Sequence, residues 1–219
     1  MKISLKISIN KVVQVLVASD VALSAGWGFI APIFAIFVAG QIEGANASVA
    51  GIAAGLYWIA KSVVQPFIAN ALDKKRGEID DFYLLVAGLF VTGLVPLGYL
   101  FITTTWQLYG LELVHALAMA CVVPTWAGIF TRHIDKDHEA FDWSVESTML
   151  GFGAGVGGIL GGILANTVGF QFVFILVSAF TMLSVVILFP VRPIIAPRVG
   201  KVARPEFKKP PFSHEKGTF

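Results

Sequence analysis

Four ionisable residues lie inside otherwise apolar stretches of this sequence: Asp20, Lys61, Glu112 and His115. Glu112 and His115 are three positions apart, a spacing that puts both on one face of a helix. A carboxyl group and an imidazole held together out of water can each change charge near neutral pH, which suits proton or solute handling. Asp20 and Lys61 fall at similar depths in their segments and could pair, easing the cost of placing either in apolar surroundings. Plainer roles exist for each: a structural ion pair for Asp20 and Lys61, an interfacial position for Glu112, a hydrogen-bonded packing role for His115. Glu146 stands near the start of its segment, where an acid suits the helix dipole.

Other chemistry is sparse. His133, His138 and His214 fall in loops or the tail at unrelated spacings, so no metal site is expected. No nucleophile–base arrangement is visible, and the glycine run "GFGAGVGGILGG" lacks the strand and the Lys-Ser/Thr of a phosphate-cradling loop. Cys121, the single cysteine, lies in an apolar segment and can form no intramolecular disulfide. An enzyme is not expected, nor a cofactor. A net charge of +2 is too small to argue for nucleic acid.

The elements that must position these residues are membrane spans. Of the 219 residues, 56% are hydrophobic and 14% charged, where a soluble domain carries about 25% charged. Apolar segments of roughly 20 residues cross a bilayer. They fall at about 12–40, 47–71, 82–103, 107–131, 144–166 and 169–190, giving an all-α integral membrane protein of six transmembrane helices whose first partner is lipid. The first is too long for the core of a signal peptide and carries Asp20. Residues 1–11 form an N-terminal segment, 12–190 the membrane domain, and 191–219 a basic, Pro-rich tail expected to be a disordered tether near anionic headgroups.

Connections alternate. "DKKRGEIDD" and "RHIDKDHEAFD" are charged, whereas "QIEGANAS", "TTTW" and "NTVGF" lack Lys and Arg. Every Lys and Arg except Lys61 then falls on one side, which the positive-inside rule makes cytoplasmic, with both termini there and a cell membrane as the location. Asn46-Ala47-Ser48 matches a glycosylation sequon, a match that chance explains.

Glycine in a helix interior costs roughly 1 kcal/mol relative to Ala, so the glycine-rich fifth span needs a reason. In a bilayer, close backbone contact through small residues drives helix association. Gly151, Gly155, Gly158 and Gly162 form one stripe, and Gly153, Gly157 and Gly161 a second beside it. Gly51 and Gly55, with Trp58, Ser62 and Gln65, give span two a fainter version. Spans two and five are counterparts if spans 1–3 and 4–6 are inverted repeats; ordinary packing faces in a six-helix bundle are the alternative.

These residues resemble the major facilitator superfamily, over about 1–190, as one six-helix half of the usual twelve-helix protein. Exporters of that family carry G-x-x-x-G-P-x-x-G-G on the fifth helix; Gly153, Gly157, Gly161 and Gly162 match, with Gly158 where the proline stands. The family's loop between helices two and three reads about G-x-x-x-D-R-x-G-R-R. Here "ANALDKKRGE" supplies Ala69 for the first glycine, then Asp73 and Lys74, with Gly77 one residue late. Gly26 and Pro32 in "GWGFIAPIF" are similar to the first helix. The resemblance implies that Asp73 helps close a cytoplasmic gate, and Arg132 resembles the basic residue found near it; charged loop ends are the plainer reading of Asp73, Lys74 and Arg132.

The expectation is a half-size transporter that pairs with a second copy through spans two and five. It would move a small solute by alternating access, with proton coupling through Glu112, His115 or Asp20. The rival is a non-transporting membrane subunit packed against another six-helix or unrelated protein. A fragment of a longer transporter is a third reading, against which the polar, basic ending argues mildly.

Overall fold

The structure, a computed structural model, describes residues 10–74 and 77–195. Helices make up nearly all of it: α1 (Lys11–Ile30), α2 (Phe34–Gln41), α3 (Ala47–Lys74), α4 (Glu78–Gly98), α5 (Thr105–His133), α6 (Glu139–Thr167), α7 (Phe170–Leu188) and α8 (Arg192–Ile195). Six candidate spans are long and apolar enough to cross a membrane, the last running from Phe170 to Ile195. The protein is a multi-pass membrane protein.

The first span is not one helix as expected over 12–40. It stops at Ile30 and resumes at Phe34. Pro32 has no N–H to donate to Gly28, and its ring crowds that carbonyl, which breaks the helical ladder. Asn46, read above within a sequon, starts α3: its side-chain oxygen accepts from the N–H groups of Ser48 (2.9 Å) and Val49 (3.2 Å), as an N-cap does. Thr104 and Gln107 cap α5 reciprocally. α6 begins at Glu139, earlier than expected, with Glu139 and Asp142 in its first turn where the dipole favours acids. Past α7 the chain stays helical to Ile195; the rest of the expected tail, and the N-terminal Lys2 and Lys6, lie outside the described residues.

α1 packs on α6 and α7, α5 packs on α3 and α4, and α4 packs on α7. This pattern is unchanged when spans one to three are exchanged with spans four to six. It leaves spans two and five least covered: 11% of the apolar window of α3 and 17% of that of α6 are buried, against 44% to 56% for the others. Two apolar cores fill the bundle, one around Leu16, Leu85, Ile129 and Leu188, the other around Ile30, Phe37, Leu108 and Phe174. Hydroxyl groups pin the helices together. Ser19 donates to the Ser184 carbonyl (2.9 Å), Ser24 to that of Leu150 (3.0 Å) and Ser178 to that of Gly93 (2.7 Å). Each satisfies a polar group that lipid could not.

The glycine run serves α1 first. Gly153, Gly157 and Gly161 are buried, and a Cβ on any of them would meet α1 backbone: Val21 and Ala25 at Gly153, Ala25 and Gly28 at Gly157, Phe29 at Gly161. The approach is mutual, since a Cβ on Gly28 would lie 2.7 Å from the Ala154 carbonyl oxygen. The second stripe of the expected close-contact surface is thus occupied by a helix of the same chain. Gly151, Gly155 and Gly162 have open space, and Gly158 meets only Gly28 and Pro32 at 3.7 Å. On α3, Gly51 and Gly55 are also open, the buried small residues there being Ala50 and Ala53.

Candidate functional site

A cleft of about 470 Å³ opens between α1, α3 and α5, closed above by Tyr99 at the end of α4 and touched by Leu150 of α6. Its wall is mostly aromatic and aliphatic, and Asp20, Glu112 and His115 line it. The i, i+3 spacing does place Glu112 and His115 on one face, and both are buried, 4% and 6% exposed. Tyr99 donates its hydroxyl to Glu112 Oε1. His115 Nδ1 stands 3.7 Å from Glu112 Oε2, too far for a hydrogen bond but close enough for charge to be felt. The imidazole stacks on Trp27 at 4.1 Å between centroids and is flanked by Tyr57 at 4.5 Å.

The expected Asp20–Lys61 ion pair is not formed. Lys61 Nζ lies 4.2 Å from the centroid of Trp58 and 5.4 Å from that of Tyr57, one helical turn back on α3. That arrangement is a cation–π contact. Equal depth did not bring the two together because α1 packs on α6 and α7 whereas α3 packs on α5. Asp20 lies within electrostatic reach of Glu146, which is buried on α6.

A second polar cluster lies where α4 begins and α5 ends. Arg132 Nε is 2.7 Å from Glu78 Oε1, and its terminal nitrogen 2.5 Å from Asp81 Oδ2; His133 Nε2 is 3.7 Å from Glu78 Oε2. Acids in the first turn of α4 face bases in the last turn of α5, so each helix dipole favours the charges it carries. Arg132 is thus paired with Glu78 and Asp81, not with Asp73, which is exposed at the last turn of α3 beside Lys74. Gly77 precedes α4 in extended conformation as its N-cap, and Glu78 and Asp81 stand in the first turn that follows. Sequence reasoning took these two acids only as loop charge. Their spacing in the first turn of an apolar helix was the signal available.

Among the described residues, no group of three or more His, Cys, Asp or Glu could hold a metal ion.

The family model for the Major Facilitator Superfamily matches residues 17–216. The chain belongs to the major facilitator superfamily. It is 26% identical over 166 residues to an MFS-type transporter of Methanocaldococcus jannaschii, an alignment covering 74% of this chain and 40% of that protein. The fold is similar to that of a solved structure of the POT family transporter PepTSo, with a TM-score of 0.61 and 13% identity over 91% of this chain and 40% of that one. The chain thus spans about 40% of the length of each of these major facilitator relatives. In this family context the aromatic cleft, with two carboxyl groups and an imidazole on its wall, is the candidate functional site.

Proposed function

We propose that this chain is one half of a solute transporter, that a second copy supplies the other half, and that the pair moves a small solute by alternating access. One observation carries the reading: the cleft holding Glu112 and His115 is flanked by α3 and α6, the two spans this chain leaves most uncovered. A second half seated on those two helices would enclose the cleft. The exchangeable contact pattern of spans one to three and four to six supports two inverted three-helix repeats. Two-fold assembly is the commonest closed symmetry, and the open stripe of Gly151, Gly155 and Gly162 would let a partner helix approach closely. The charged α3–α4 and α5–α6 connections support cytoplasmic termini in the cell membrane.

Proton coupling through Glu112, with His115 beside it, is part of the proposal. The groups facing that carboxyl are Tyr99 at the end of α4, Tyr57 on α3 and His115 on α5, with Lys61 one turn from Tyr57. Asp73 and Lys74 stay proposed gate residues, since their exposed side chains are free to meet another half.

The test has two arms. Gly155→Cys in native membranes should give a disulfide-linked dimer of this chain; a monomer at every expression level sinks the homodimer. Purified protein in liposomes should move solute unaided. Liposomes that move nothing, together with disulfide capture of a different polypeptide, would favour the non-transporting subunit.

A further inference from the structure

Resting on the transport reading, we infer that the solute taken by the cleft is a cation with an apolar or aromatic body. Trp27, Tyr57, Trp58 and Tyr99 supply aromatic surface, and the ionisable groups on the wall are Asp20, Glu112 and His115. Among the described residues no Lys or Arg lines it. Glu112 has a hydroxyl donor and a neighbouring imidazole, and among the described residues no Lys or Arg forms an ion pair with Glu112 or Asp20. A carboxylate removed from water without a counter-charge is costly, and an incoming cation supplies one. An anion would meet two acidic groups and, among the described residues, no lining Lys or Arg to balance it.

Lys61, which does not itself line the cleft, shows that one of the lining rings, Trp58, accepts positive charge. Its ammonium rests 4.2 Å from the Trp58 centroid, well within the roughly 6 Å over which ring faces attract cations. The remaining rings offer the same attraction to a solute. The volume, about 470 Å³, suits one drug-sized molecule.

Two ions of one shape and opposite charge test this: tetraphenylphosphonium and tetraphenylborate. Each is titrated against the full chain in lipid nanodiscs, with empty nanodiscs correcting for partition into lipid. The phosphonium should bind saturably and the borate not at all above the blank. Asp20→Asn and Glu112→Gln should each weaken phosphonium binding by about tenfold, the scale of one charge-assisted contact, while Asp20→Glu retains it and shows that the site still folds. Lys61→Met removes a competing cation and should tighten binding. Equal binding of the two ions, binding of neither, or phosphonium binding indifferent to both carboxyl variants overturns the inference. Phosphonium bound in nanodiscs but never moved in liposomes sinks the transport reading and leaves the cation site standing. Transport of another solute with no phosphonium binding does the reverse.

Discussion

A methyl group added to the α1–α6 seam has a calculable effect. At Gly28 an alanine Cβ would stand 2.7 Å from the Ala154 carbonyl oxygen and 2.9 Å from its Cα. Both are backbone atoms of a helix and cannot rotate away. To reach 3.4 Å, the near edge of ordinary contact, the helices must part by about 0.7 Å along a seam that also contains Gly153, Gly157 and Gly161. Overpacking of this kind costs about 1–3 kcal/mol, and a radial gap of 0.5–1 Å forfeits roughly a quarter to a half of each dispersion contact it opens. Gly28→Ala and Gly161→Ala should therefore lower the unfolding midpoint in detergent clearly, Gly161→Ala the more, because its clash with Phe29 backbone is closer. Gly155→Ala, in mid-helix with open space around it, should not destabilise and should gain up to about 1 kcal/mol of helix propensity. The measurement is reversible unfolding in mixed micelles, followed by far-UV circular dichroism. If Gly161→Ala unfolds with the parent, or Gly155→Ala falls as far, the two-stripe account is wrong.

Arg132→Ala leaves Asp81, 4% exposed, without its counter-charge; because the guanidinium itself is partly solvated, the expected loss is about 2 kcal/mol rather than the 3–5 of a fully buried pair. The same unfolding assay reads it, and a change under 0.5 kcal/mol would show the pair to be idle. Ser178→Ala removes the bond to the Gly93 carbonyl and should cost about 0.6 kcal/mol, the average for interhelical bonds in membranes; a loss of several kcal/mol would mean that the hydroxyl does more than join α7 to α4. Replacing Glu112 with Gln should flatten the pH dependence of solute uptake into liposomes, and an unchanged profile removes it from proton coupling. Tyr99→Phe keeps the ring but loses the hydroxyl that donates to Glu112, so it should move the midpoint of that profile without abolishing uptake; a profile identical to the parent's would make Tyr99 a packing residue only.

Six spans and the one-face placement of Glu112 with His115 were legible in the sequence. Hydropathy is a local sum and helical periodicity a local angle, so neither requires knowledge of neighbours. Pro32 is visible too, yet hydropathy averages across a kink, so the break between α1 and α2 does not show as two spans. Tertiary structure decided everything that depends on which helix lies beside which. The Asp20–Lys61 pair fails because α1 packs on α6 and α7 whereas α3 packs on α5, and depth along a span carries no information about direction around it. Arg132 meets Glu78 and Asp81 because the ends of α5 and α4 converge. The glycines divide into a stripe spent on α1 and a stripe left open, although the composition of the two is the same. A sequence records each residue's angle about its own helix axis; only packing sets the angles between axes, and buried polar groups find their partners there.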